Sequence, residues 1–227
     1  MTSLPKFKAV LFDLDGTLIE FKFKVKESRL AMIEWLGKNG FDTSSFSSET
    51  KTQKIIDSVR LQSNEKTRAD FESTRQSLYE ILNEFEFESL SRAKPHPGSI
   101  QLLKRLKEEQ ILTALVTNSG RRPVDSILGT FGFLPLLTAV ITRDEMASMK
   151  PEPDGLLKAI EQLQVGRGES IYVGDSVIDI QAARKAGVLS VALAQGMYPE
   201  DTLAKEGPDY MISNIEEVQE IVFGRGA

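Results

Sequence analysis

Cysteine is absent from the 227 residues, and histidine occurs once, at His96. The first absence excludes disulfides, thiolate nucleophiles and cysteine-held metals together, and it fits a reducing compartment. The scarcity of histidine excludes a Ser-His-Asp triad, a two-histidine phosphatase and an HExxH zinc site, each of which needs more histidine or needs it elsewhere. His96 lies between two prolines in "KPHPGS" and reads as a hinge residue without chemistry. Long hydrophobic runs are missing too. The longest, "FGFLPLLTAVI", is interrupted by Gly132, Pro135 and Thr138 and is too short to span a bilayer. The residues before Asp13 contain no apolar segment of signal-peptide length, so a soluble, cytoplasmic protein is expected. Nor is there an excess of positive charge. Lys and Arg number 28 against 33 Asp and Glu, a net charge of -5, which argues against nucleic acid or an acidic membrane as partner. The chemistry must come from carboxylates, hydroxyls, lysine and a metal that such groups can hold.

Proline and glycine are missing locally as well. No proline occurs between Pro5 and Pro95, and no glycine between Gly40 and Gly98. Without turn-formers and breakers the middle of the chain reads as helical. Leu30, Ile33 and Leu36 follow helical spacing, as do Phe71, Leu78, Ile81, Leu82 and Phe85, with a further helix around Ile55, Ile56 and Val59. "GFDTSSFSSET" is the polar loop between the first two. Just before them, Phe21, Phe23 and Val25 alternate with Lys22, Lys24 and Lys26. That period suits a short half-buried strand beside a site, or a segment whose lysines are simply its solvated side.

What is present from Pro95 onward is alternation. "ILTALV", "TAVI", "SIYVG" and "VLSVALA" read as strands, separated by helical stretches such as "SIQLLKRLKEEQ", "PVDSILGTFG" and "DGLLKAIEQLQ". Strand and helix in turn predict an α/β protein with a parallel sheet covered by helices on both faces. Residues 7–12 add a first strand to it. Residues 1–21 and 93–227 are then the core, and residues 22–92 a helical insertion. With 41% apolar residues the chain can bury a proper core.

In such a sheet, ligands bind outside the carboxyl ends of the strands. The first strand runs into "DLDGT", which places Asp13 and Asp15 one residue apart. "ILTALV" is followed by Thr117, Asn118, Ser119 and Gly120, and "SIYVG" by Asp175, Ser176 and, a turn later, Asp179. Lys150 lies in "MKPEP", just before the helix that leads to Asp175. Carboxylates gathered at one edge repel each other unless a cation neutralises them, and oxygen ligands favour Mg²⁺. Phosphoryl transfer suits this set. Asp13 is the expected nucleophile, forming an aspartyl-phosphate that water hydrolyses. Asp15 is the proton carrier, protonating the leaving oxygen and then deprotonating the water. Lys150, Thr117, Asn118 and Gly16 are expected to bind phosphate, with Gly16 also letting the backbone turn sharply. Arg121 and Arg122 are expected to be solvated.

"DLDGT", "VTNSG", "KPEP" and "GDSVID", in this order, resemble the four motifs of the phosphatase branch of the haloacid dehalogenase superfamily. The resemblance covers residues 5–20 and 95–223. It implies a Rossmann-like core, Mg²⁺ dependence and these same catalytic roles. It also implies that Asp13 gives the metal a carboxylate, Asp15 its backbone carbonyl and Asp175 a third ligand, with Asp179 acting directly or through water. The insertion resembles the family's C1 cap, which closes over small substrates. Asp15 argues against the dehalogenases and phosphonate hydrolases, which lack it. The sequence is similar to phosphoglycolate phosphatases, but Glu20-Phe21 stands where these commonly have Asp-Ser.

A Mg²⁺-dependent phosphatase of a small phosphomonoester is therefore expected. A sugar-phosphate mutase of the same superfamily shares Asp15 but matches Thr117-Asn118-Ser119 less well. An aspartyl-phosphate signalling module would place its acceptor on a later strand and lack the insertion. A catalytically silent scaffold usually loses a key carboxylate, and none is missing here. Phosphoglycolate, a sugar phosphate, a nucleoside monophosphate and pyrophosphate all remain open as substrates, as does the oligomeric state.

Overall fold

The computed structural model describes residues 7–20, 23–63, 70–195 and 198–224. In chain order, β1 (Ala9–Phe12) and β2 (Ile19–Glu20) precede three helices, α1 (Val25–Lys38), α2 (Thr52–Gln62) and α3 (Phe71–Leu90). There follow β3 (Lys94–Pro95), α4 (Ser99–Glu108), β4 (Leu112–Val116), α5 (Arg121–Phe131) and β5 (Ala139–Ile141). The chain continues through α6 (Asp154–Leu163), β6 (Ser170–Gly174), α7 (Val177–Ala186) and β7 (Leu189–Leu193). It ends with α8 (Glu200–Lys205), β8 (Tyr210–Ile212) and α9 (Val218–Phe223). By compactness the chain divides into Met1–Phe21 with Ala93–Ala227, and Lys22–Arg92.

The larger unit is a six-stranded sheet in the order β5-β4-β1-β6-β7-β8, and every neighbouring pair is parallel. β1 lies inside it, with Leu11 opposite Ala114 on one side and Tyr172 on the other. Successive side chains of a strand point to opposite faces, so a strand buried at every position is covered on both. All four residues of β1 and all five of β6 are buried. On one face Ala9, Leu11, Val116, Ile141 and Tyr172 pack with Leu156, Ala159 and Leu163 of α6 and Ala182, Ala183 and Ala186 of α7. This is the Rossmann-like α/β arrangement expected from the alternating pattern.

In the smaller unit, α3 packs against both α1 and α2. Asp70 caps α3, its carboxylate accepting from the Ser73 N–H at 3.0 Å. The loop before α2 is tied back by Gln62, whose amide accepts from the Asp42 N–H and donates to the Asp42 carbonyl. Two expectations change here. The buried side of α1 is Ser28, Met32 and Leu36, whereas Leu30 is 52% exposed. Residues four apart share a helix face, and this i, i+4, i+8 row is the one that turns inward. The expected strand over residues 21–26 is not formed by its described part, because Val25 and Lys26 already belong to the first turn of α1. Phe21 and Lys22 lie outside the described residues. A strand does occur two residues earlier: β2 pairs antiparallel with β3, Ile19 opposite Pro95 and Glu20 opposite Lys94. The Lys94 and Glu20 side chains form an ion pair there at 2.8 Å.

Candidate active site

The sheet ladder itself places the first aspartate. Asp13 is one residue past β1, and its N–H still donates to the Val173 carbonyl at 2.9 Å. Thr117, one past β4, is fixed the same way by the Ile141 carbonyl at 3.0 Å. The chain then turns back at once. The N–H groups of Leu18 and Ile19 donate to the Leu14 carbonyl, and the Gly16 N–H to the Ile19 carbonyl at 2.8 Å. Gly16 was expected to bind phosphate, but its N–H is thus used within the turn. What it provides is room. Its φ is +83°, and a Cβ there would lie 2.2 Å from Asp175 Oδ2. Gly174 does the same for Asp179, since a Cβ on it would stand 2.5 Å from the Asp179 Cγ.

Lys150 joins the loops. Its buried ammonium donates to Asp13 Oδ1, Asp179 Oδ1 and the Tyr172 hydroxyl, each at 2.7 Å. An ammonium has three protons, so these three partners match its donors one for one. The Tyr172 hydroxyl, accepting from Lys150, has one proton to place between Asp179 Oδ1 at 2.9 Å and the Val116 carbonyl at 3.1 Å. Asp179 Oδ2 accepts from the N–H and hydroxyl of Ser176, at 3.1 and 2.5 Å. Asp179 is therefore both the N3 carboxylate of the capping box that Ser176 opens at α7 and an anchor of Lys150. Asn118, also expected among the phosphate binders, uses its carboxamide on the backbone of Lys150. Its oxygen accepts from the Lys150 N–H at 2.9 Å, and its Nδ2 donates to the Lys150 carbonyl at 3.1 Å. Ser119 donates its hydroxyl to Asp15 Oδ2 at 2.7 Å.

Among the described residues, Asp13, Asp15, Asp175 and Asp179 lie close enough to act on one another's charge, and Lys150 is shared by Asp13 and Asp179. Burial pushes the Asp13 carboxyl well above the usual carboxylate range; Lys150 pulls it down, and Asp179, Asp15 and Asp175 push it further up. Burial would depress Lys150, yet Asp13 and Asp179 outweigh it and hold the ammonium above the ordinary lysine range. Burial, aided by the charge of Asp179, likewise keeps the Tyr172 phenol protonated. Asp13, Asp175 and Asp179 each bring a carboxylate oxygen to within 4.8 Å of the others. A buried, all-oxygen set of three carboxylates fits a hard divalent cation.

All the sequence-predicted residues thus meet at one edge of the sheet. Tyr172 joins them without any expectation, and so do Ser119 and Ser176, which the sequence places after the strands but to which it assigns no role. Tyr172 carries no local signal, because an aromatic in "SIYVG" is what a buried strand wants anyway. The spacing of Ser176 and Asp179 does signal a capping box, which masks the second role of the aspartate. Arg121 departs from its expected solvated state: it is half-buried and pairs with Glu145 at 2.9 Å. His96 is buried, its Nδ1 within 3.1 Å of the Pro97 carbonyl. Among the described residues no helix is long and apolar enough to cross a membrane.

Comparison with known proteins bears on the family and the fold. A provisional pyrophosphatase, PpaX, of Caldanaerobacter subterraneus is 31% identical, over 96% of each chain. The phosphoglycolate phosphatase of Agrobacterium fabrum is 28% identical, over 98% of this chain and 95% of its own. A solved structure of a haloacid dehalogenase-like family hydrolase from Streptococcus pneumoniae shares the fold, with a TM-score of 0.63 at 18% identity over 94% of this chain and 97% of that one. The family model of the haloacid dehalogenase-like hydrolases matches residues 7–187, from the strand before Asp13 to the end of α7, and the chain belongs to that family.

Proposed function

We propose that this hydrolase is a Mg²⁺-dependent phosphatase of small phosphorylated metabolites, working through an aspartyl-phosphate on Asp13. The observation that carries this is Asp13 itself: buried at the end of β1, held by Lys150 at 2.7 Å, and one residue from Asp15. Asp13 attacks phosphorus as the bond to the leaving oxygen breaks, and Asp15 gives that oxygen its proton. Asp15, now ionised, takes a proton from the water that attacks the aspartyl-phosphate; phosphate leaves and Asp13 is restored. Thr117 Oγ1 accepts from the Ser119 N–H at 3.0 Å, which leaves its own proton for a phosphate oxygen. Lys150 keeps one Asp13 oxygen in place and offsets part of its charge. Asn118 fixes the backbone from which Lys150 extends, and Gly16 allows Asp175 its close approach.

Asp13, Asp175 and the Asp15 carbonyl would hold the metal, with Asp179, whose oxygens already accept from Lys150 and Ser176, acting on it through water. When bound, Mg²⁺ neutralises the carboxylates and the phosphate oxygens and makes phosphorus more electrophilic. We assign residues 1–21 and 93–227 to catalysis and residues 22–92 to a cap that selects the substrate. The names of the relatives, for phosphoglycolate and for pyrophosphate, support a small phosphorylated compound as substrate class.

The test is phosphate release from a panel of small phosphomonoesters and pyrophosphate, with and without Mg²⁺. The wild-type protein is expected to release phosphate only with the metal, and Asp13→Asn to release none while keeping its circular dichroism. Turnover that survives in Asp13→Asn would remove Asp13 as the nucleophile.

A further inference from the structure

Asp15 has a dedicated partner that the proposed reaction does not itself require. Ser119 lies 104 residues away in sequence, on the loop after β4, and its hydroxyl donates to Asp15 Oδ2 at 2.7 Å. Ser119 is buried, and both of its backbone groups are tied. Its N–H donates to Thr117 Oγ1 at 3.0 Å, and its carbonyl accepts from the Arg143 N–H at 3.2 Å. The neighbouring Asn118 carbonyl accepts from Nη1 of the wholly buried Arg143 at 3.1 Å. A hydroxyl held this way has little freedom, and its proton is aimed at one carboxyl oxygen.

We propose that Ser119 is a positioning residue for the proton carrier, fixing the Asp15 carboxyl so that its proton meets the leaving oxygen. The inference rests on the phosphatase reading and deepens it. A serine hydroxyl can donate to Oδ2 whether Asp15 is protonated or ionised, so the contact can persist through both half-reactions. In the first, the Asp15 proton passes to the leaving alkoxide as the P–O bond breaks. In the second, the Asp15 carboxylate takes a proton from the attacking water. Proton transfer depends steeply on placement, and a misplacement of about 1 Å can cost on the order of 100-fold.

A role in leaving-group protonation has a signature that a purely structural role lacks. An alkyl phosphate such as glycerol phosphate must expel an alkoxide, which needs the proton. Nitrophenyl phosphate expels a stable phenolate, which does not. The value of kcat/KM covers events up to departure of the leaving group, so the two substrates report the acid step by difference. Ser119→Ala is expected to lower kcat/KM for glycerol phosphate by about 10- to 100-fold and for nitrophenyl phosphate far less. Asp15→Asn should show the same selectivity more strongly, and adding Ser119→Ala to it should change nothing further. A thermal melt of each variant accompanies the kinetics. If the alanine variant does not fold, Ser119→Cys keeps the volume with a weaker donor and should shift the ratio in the same direction.

Equal losses on both substrates, or additive losses in the double variant, would overturn the role of Ser119 while Asp15→Asn still supports the phosphatase. A folded wild-type protein that hydrolyses neither ester nor any other member of the phosphomonoester and pyrophosphate panel with Mg²⁺ would overturn the phosphatase reading, and the inference with it.

Discussion

The Tyr172 hydroxyl stands where three elements meet, between Lys150, Asp179 and the end of β4. Tyr172→Phe keeps the ring in the core but strands one ammonium proton in a buried site. Hydrogen bonds to charged groups contribute about 1.5–3 kcal/mol. Urea unfolding of the metal-free protein is expected to show a loss of about 2 kcal/mol, and an unchanged midpoint would mean that Lys150 finds another acceptor. Gly16→Ala acts on the other side of the site. A Cβ 2.2 Å from Asp175 Oδ2, on a backbone with φ at +83°, must displace the carboxylate. We expect this variant to fold with a lowered melting temperature and to lose the stabilisation that Mg²⁺ gives the wild type. These residues also show how legible the site was. The carboxylates, Thr117 and Lys150 stood out because charged and hydroxyl groups rarely follow one predicted strand after another for packing or solubility alone. Tyr172 and Ser119 did not, because an aromatic in a strand and a serine before a glycine each have an ordinary local reason.

For whole elements, the parallel sheet followed from strand–helix alternation because burial on both faces leaves continuous apolar runs. Strands of two or three residues, such as β2, β3 and β8, are too short to carry a period. The alternation of phenylalanine and lysine over residues 21–26 misled for a related reason: a few residues of period two can equally be the start of a helix whose first turn is mostly solvated. In α1 the true inward face includes Ser28, a polar residue whose hydroxyl bonds the Val25 carbonyl at 2.9 Å. An apolar count cannot see it. The packing of α1, α2 and α3 gives a further prediction. Leu78 is fully buried on α3, and Leu78→Ala is expected to cost about 2–5 kcal/mol. Hydrogen exchange should speed up throughout α1–α3 while amides of β1 and β6 keep their protection. Equal loss of protection in both regions would mean that the two units unfold as one.

For the molecule as a whole, the acidic cluster ties folding to pH and, on the proposed function, to a metal. The folded state raises the Asp13 pKa, so it keeps a proton that the unfolded chain gives up. Stability of the metal-free protein therefore falls as pH rises from the ordinary carboxylate range through the raised value. A cation that binds the ionised cluster reverses this, by about 2.7 kcal/mol at a hundredfold excess over its Kd. The rise in melting temperature on adding Mg²⁺ is expected to be larger at neutral than at acidic pH, and to vanish in Asp175→Asn. Melting curves that ignore Mg²⁺ at every pH would mean that the cluster holds no metal. The β2–β3 ribbon has a consequence of another kind. The chain leaves the core at Glu20 and returns at Lys94, residues that face each other across the ribbon. An insertion whose two ends meet at neighbouring residues can grow, shrink or be exchanged for another without moving any strand of the sheet out of register. In descent, the sheet and the inserted helices are thus free to change at different rates, as two inheritances carried on one chain.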